Sequence, residues 1–175
     1  MSLIEDYEIA LSSPPCEPGS ERWSAFATLK TDISEVLPYL NTVWPDALYE
    51  HRAKVLTRRS QGHAIAIRPR EVAVSNVLDR GDARRLVEEL IAEINAIWAH
   101  RGEITPSTAK RQRPTAMELY KLLPKTNCRG CGQPSCWAFA LQLVAGSTQL
   151  DACTPLNDPV YLSQREQLTR LLGII

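Results

Sequence analysis

No apolar run in this chain approaches the roughly 20 residues that cross a bilayer as a helix, which excludes a membrane-spanning helix. The opening Met1-Ser2-Leu3-Ile4-Glu5-Asp6 lacks the basic and apolar regions of a secretory leader, so residence in a reducing cytoplasm is expected. Charge of one sign is missing too: 20 Lys and Arg balance 20 Asp and Glu, and aromatics make up only 6%. A general nucleic-acid binder needs a basic excess and a stacking platform, so no nucleic-acid partner is expected. The three histidines, His51, His63 and His100, have no ligand spacing and read as surface or structural residues. There is no G-x-S-x-G turn, so Ser24, Asp32 and His51 do not make a hydrolase triad, and no nucleotide-binding glycine motif appears. Cysteine is scarce, and of the five only Cys16 lies outside one C-terminal group, which argues against a disulfide framework. Cys16 sits in the turn Pro14-Pro15-Cys16-Glu17-Pro18-Gly19 and reads as a free thiol.

The remaining pattern predicts an α+β fold: an N-terminal antiparallel sheet with two helices, followed by a small, mostly helical domain. Residues 7–11 and 23–30 alternate as strands, the second placing Trp23, Ala25, Ala27 and Leu29 on one face. Asp32 with Glu35 resembles a capping box ahead of Ile33, Val36, Leu37 and Leu40, a short helix that Pro38 is expected to bend. Residues 53–59 and 63–68 flank Ser60-Gln61-Gly62 as a hairpin, and 71–77 extends it to a three-stranded meander. Asp82 is expected to cap a helix whose stripe is Leu86, Val87, Leu90, Ile91, Ile94, Ile97 and Trp98. Two helices over a four- or five-stranded sheet account for residues 1–101, read as a partner-binding domain. Residues 102–114 are polar, hold two prolines and lack periodicity, and read as a linker. Residues 115–175 form the second domain: Thr115 caps a helix over 116–123, another runs from Cys136 to a glycine stop at Gly146, and a last one covers 163–172.

The chemistry is concentrated in that second part. Cys128, Cys131, Cys136 and Cys153 follow the order C-x2-C-x4-C-x16-C. Three thiolates on one loop and a fourth returning after a helix-length gap can surround a [4Fe-4S] cubane, which needs one sulfur ligand per iron corner. Zinc is the competing reading, since four thiolates also satisfy a tetrahedral ion, but structural zinc sites usually present two close pairs. Gly130 and Gly132 are expected to supply the positive φ angles that wrap the loop, and Trp137, beside a ligand, reads as a shield against water. Lys110, Arg111, Arg113, Lys121, Lys125 and Arg129 face only Glu118 in opposite charge. Either they form a solvated face, or Lys121, Lys125 and Arg129 dock an acidic redox partner near the cluster.

The stretch from Leu119 through Asn127 and the four cysteines to Cys153-Thr154-Pro155 resembles the small four-iron-four-sulfur domain of the corrinoid iron-sulfur protein large subunit. It is also similar to the cluster domain in the B subunit of Rnf-type electron-transport complexes. Proline, asparagine, glycine and all four cysteine spacings agree together over about residues 115–157. The resemblance implies a [4Fe-4S] cluster held by Cys128, Cys131, Cys136 and Cys153, an anaerobic setting, and a redox partner protein such as a corrinoid protein or a reductive-activation system. Nothing resembles the corrinoid-binding or barrel domains, so methyl transfer does not carry over. Three readings remain: an electron-transfer or binding module, favoured because four ligands leave no open iron, a cluster-containing enzyme subunit with a substrate pocket in the first domain, and a purely structural cluster or zinc domain.

Overall fold

The computed structural model describes residues 2–13 and 22–173. The chain divides into two compact units, Met1–Arg58 with His63–Arg111, and Arg59–Gly62 with Gln112–Ile175. The expected Pro14–Gly19 turn and Cys16 lie outside the described residues.

In the first unit the strands are β1 (Tyr7–Ser12), β2 (Trp23–Leu29), β3 (Leu48–Glu50), β4 (Val55–Ser60), β5 (His63–Arg68) and β6 (Glu71–Val77). They join in the order β1-β2-β6-β5-β4-β3, six strands among the described residues where four or five were expected. The added strand is β3, whose three residues pair with β4 and carry too short an alternation to stand out. Gln61 and Gly62, with φ of 51° and 81°, make the two-residue turn between β4 and β5. Two successive positive φ values match the twist of the flanking strands, which is why the hairpin closes so tightly. Across β2 and β6, Trp23 pairs with Val77 but Ala25 with Val74, a bulge of one residue on β6. Asn76 takes the left-handed conformation (φ 68°) there. The bulge returns Val77 to the face of Val72 and Val74, so all three are buried despite their uneven spacing.

Helices α1 (Leu37–Val43) and α2 (Arg80–Ala99) belong to this unit. The α1 expectation needs two corrections. Asp32 accepts from Ser34 N at 2.8 Å, a local turn that leads into a 3-10 segment, Ser34–Val36, rather than a capping box with Glu35. Pro38 sits in the first turn of α1, where its missing N–H has no helical partner to lose, so it starts the helix instead of bending it. The cap of α2 is Asp79, not Asp82: its carboxylate accepts from Gly81 N at 2.7 Å and Asp82 N at 3.0 Å. Ala83, Val87, Leu90, Ile91, Ile94 and Ile97 then recur at helical spacing and are buried in the sheet's core.

Residues 105–111 are strapped to α1. Asn41, fully buried, donates from its amide to Ser107 O (2.9 Å) and Ala109 O (3.1 Å), while Arg111 reaches Asn41 O (2.5 Å) and Trp44 O (3.0 Å). Thr42 Oγ1 donates to Thr105 O at 2.7 Å, and Lys110 pairs with Glu50 at 2.7 Å. Replacing Asn41 by leucine removes the donors and leaves the strap's carbonyls and Arg111 short of partners. Loss of about 2 kcal/mol is expected, read as a lower urea midpoint of the first unit with an unchanged slope. An unchanged midpoint would mean that the strap contributes nothing to stability.

The second unit holds α3 (Ala116–Leu122), α4 (Cys136–Ala145) and α5 (Leu162–Leu172). Thr115 caps α3 in a reciprocal box: Glu118 N donates to Thr115 Oγ1 at 3.2 Å and Thr115 N to Glu118 Oε2 at 2.8 Å. Those contacts from Thr115, backbone first and hydroxyl second, hold the Glu118 carboxyl below its usual range. Leu123 ends the helix in an extended conformation before Pro124, which disfavours a helical residue ahead of it. Leu119, Phe139, Leu143, Leu150, Leu156 and Leu168 are buried together with Cys136 and Cys153 in a second core. No described helix is long and apolar enough to cross a membrane.

Candidate metal centre

The loop between α3 and α4 is wound tightly. Lys125, Asn127 and Arg129, at alternate positions, have φ of 58°, 49° and 60°, and Gly132 follows at 78°. The glycine expectation is therefore half corrected: Gly132 takes a positive φ, but three non-glycine residues do most of the winding. Asparagine tolerates this conformation through its short polar side chain, whereas lysine and arginine carry about 1–2 kcal/mol of steric cost each. Within this winding the Gly130 N–H is turned to the Cys128 sulfur, a donor suited to a thiolate. Gly130 serves by its size: a Cβ there would lie 3.2 Å from Thr154 Oγ1 and 3.7 Å from Cys128 Sγ. That close approach brings the first cysteine loop against the segment that begins at Cys153.

The four cysteines line one hollow, floored by Phe139 and Pro155. Cys128 is exposed, Cys131 half-buried, and Cys136 and Cys153 buried, so the hollow opens towards solvent on the Cys128 side. Cys136 is the first residue of α4, whose cap is Ser135, with Oγ accepting from Ala138 N at 3.1 Å. A helix N-terminus favours negative charge in front of it. Asn127 spans the loop to accept from Cys136 N at 2.9 Å, satisfying a donor the helix itself cannot.

The thiols differ in electrostatics. Donation from Gly130 N–H, then from the Thr126 hydroxyl, holds the Cys128 thiol below its ordinary range. Burial pushes the Cys153 thiol up, and repulsion from Cys131, Cys136 and Cys128 adds to it. That mutual repulsion places the four sulfurs within one electrostatic neighbourhood. A cation or cationic cluster core set among them relieves it, because metal ligation fixes the thiolate form.

Of the basic residues, Lys125 and Arg129 lie on this loop, and Lys121 is in the last turn of α3 just before it. Lys125 Nζ lies 5.6 Å from the Tyr120 ring centre, and Arg129 lines the hollow. Lys110 and Arg111 are committed to Glu50 and to the α1 carbonyls and do not join them. Trp137 does not shield the site. It is 39% exposed and stacks edge-on against Tyr120 at 5.5 Å, while Phe139, two residues on and 1% exposed, provides the apolar wall. The histidines serve locally: His51 meets Tyr49, His63 the carbonyl of Asn76, and His100 that of Ala96. Asn127 and Thr154 entered the sequence analysis only as part of the resembling stretch, and the tasks of Asn127, Thr126, Thr154 and Phe139 were not assigned there.

A wound loop, a helix N-terminus and four thiols around one hollow define a cluster-binding domain. Residues 123–155 match the family model described as "Putative Fe-S cluster", so this segment is an iron-sulfur domain. The chain is 45% identical over 59 residues to the acetyl-CoA decarbonylase/synthase complex subunit gamma of Methanocaldococcus jannaschii, covering 34% of this chain and 12% of that protein. It is 50% identical over 44 residues to the corrinoid/iron-sulfur protein large subunit of Moorella thermoacetica, covering 25% of this chain and 10% of that one. The similarity is thus confined to about a tenth of each relative's length. No solved structure matches the chain.

Proposed function

We propose that this chain carries single electrons, holding one [4Fe-4S] cluster through Cys128, Cys131, Cys136 and Cys153 and exchanging electrons with a partner protein in an anaerobic cytoplasm. The observation that carries this reading is the convergence of those four thiols on one hollow. A cubane takes one sulfur per iron and spreads its contacts over four metal atoms. A lone zinc ion would instead need the sulfurs drawn to about 2.3 Å of a single point. All four thiols line the hollow, as the four iron corners of a cubane require.

The chain's own residues then have definable tasks. Asn127 and Ser135 fix the start of α4, the Gly130 N–H donates to the Cys128 sulfur, and Phe139 excludes water from one side. Arg129 places a cation beside the cluster, which favours the reduced state, and Lys121 and Lys125 steer a partner. The relatives, a corrinoid/iron-sulfur protein large subunit and an acetyl-CoA decarbonylase/synthase complex subunit, support a partner of the corrinoid type. Anaerobic purification with iron and sulfide analysis and EPR of the reduced protein is the test. About four irons and four sulfides per chain, with a reversible one-electron signal, is the expected result; stoichiometric zinc without sulfide would defeat it.

Two separable domains belong to the same proposal, with the first recognising a partner. The strap that satisfies Asn41 moves the natural boundary to about residue 112, so limited proteolysis is expected between 112 and 115. A fragment of residues 1–111 should fold without metal and melt above one of residues 1–101, which lacks the strap. Absence of cooperative unfolding in the 1–111 fragment would end the two-domain reading.

A further inference from the structure

The cluster unit exposes apolar side chains that its own core does not use. Met117 on α3 and Leu141 on α4 are 51% and 47% exposed, with Trp137 similarly open. These three form one surface. Met117 and Tyr120 lie three apart on one helix face, Tyr120 packs edge-on against Trp137, and Trp137 and Leu141 lie four apart on the next helix. The patch abuts the site directly, since Trp137 follows Cys136. Its rim is cationic: Lys121 is one turn from Met117, and Lys125 leans over Tyr120. Glu118, the one acid in this stretch, is held in the Thr115 capping box.

We propose that Met117, Trp137 and Leu141 are the contact face for a small electron-transfer protein whose own apolar face is ringed by carboxylates. The inference rests on the carrier reading above and adds the surface and the kind of partner. Charge complementarity selects the occupant. A second copy meeting this face across a two-fold axis would set Lys121 and Lys125 against their own equivalents. A carboxylate rim pairs with them, raises the association rate and fixes the register. The small area, with an adaptable methionine and one aromatic anchor, suits the brief encounters of redox proteins, whose interfaces fall at the low end of the size range. One electron passes between the two cofactors, the partner's centre being oxidised as this one is reduced, with no bond made or broken.

The test uses the full chain with its cluster and, as probe, a purified acidic ferredoxin. Binding is followed by calorimetry over a salt series, and transfer by stopped flow. Met117→Glu and Leu141→Glu should each weaken binding about tenfold, equivalent to about 1.4 kcal/mol, and slow transfer in parallel. Iron and sulfide content, the midpoint potential and the reaction with methyl viologen should stay unchanged. Val160→Glu, at an exposed apolar residue on a different element, should bind as the parent does. Lys121→Glu with Lys125→Glu should flatten the salt dependence. Equal affinity in the Met117, Leu141 and parent proteins would overturn this face while leaving the carrier reading intact. So would binding to phosphatidylserine vesicles, or self-association, lost in these variants without any ferredoxin binding. A cluster that methyl viologen cannot reduce reversibly would instead overturn the carrier reading, and the docking face with it.

Discussion

Replacing Cys136 with alanine is expected to leave a protein that retains less than about one iron per chain, against about four in the parent. Cys136 stands first because three features converge on it: burial, the N-terminus of α4, and the hydrogen bond from its own N–H to Asn127. The loop and the helix therefore fix the backbone from which this sulfur projects. Cys153→Ala is expected to match it, since that thiol is buried across the hollow. Cys128 is the exposed member, so Cys128→Ser is the variant in which a damaged cluster of lower iron content could survive. Cys16→Ser should keep the full complement. Iron, sulfide and the EPR of the reduced state measure all four variants anaerobically. Full iron and sulfide in Cys136→Ala would remove this residue from the ligand set, and loss of iron in Cys16→Ser would bring the fifth cysteine into it.

What the sequence disclosed and what it hid divide by the range of the interactions involved. The Thr115 cap and the glycine stop at Gly146 are patterns within a few residues, and the structure carries both as expected, with Glu118 completing the Thr115 cap as a reciprocal box. The hairpin at Gln61 and Gly62 is equally local. By contrast Asn41 finds its partners 66 and 68 residues away, so the polar stretch after α2 looked like free linker until those bonds were seen. The cap of α2 was misplaced by three residues because Asp79 and Asp82 are equally good capping types and only the backbone path decides between them. Trp137 and Phe139 differ in outcome for a similar reason: both follow Cys136 on one helix, and the packing of α3 on α4 determines which ring turns inward. The left-handed residues of the cysteine loop were hidden most deeply, since lysine and arginine are poor candidates for that conformation. Their strain is intelligible as part of a site, because strained backbone conformations concentrate where a fold holds functional groups in place.

Phe139→Ala is expected to uncouple the cluster unit's fold from its own side-chain packing. The ring is 1% exposed, lines the hollow, and lies in the second core with Leu119, Leu143 and Leu168. Truncating a buried phenylalanine costs about 3–5 kcal/mol. A unit as small as Gln112–Ile175 with the hairpin tip Arg59–Gly62 commands roughly 3–10 kcal/mol in all. Removing the ring therefore consumes a large share of that stability, and metal binding must supply the remainder, because a group that binds only the folded form shifts the equilibrium towards it. The metal-free variant should lose the helical circular-dichroism signal of α3, α4 and α5 at temperatures where the strapped sheet of the first unit stays folded. Rebuilding the cluster should restore it. In the loaded protein the same loss appears as iron release to a chelator, faster than in the parent by about a hundredfold or more if the full cost falls on the opening step. A parent-like melt of the metal-free variant together with parent-like iron release would show that Phe139 does not hold this core together, and the wall of the hollow would then have to be sought in Pro155 and the ligand loop.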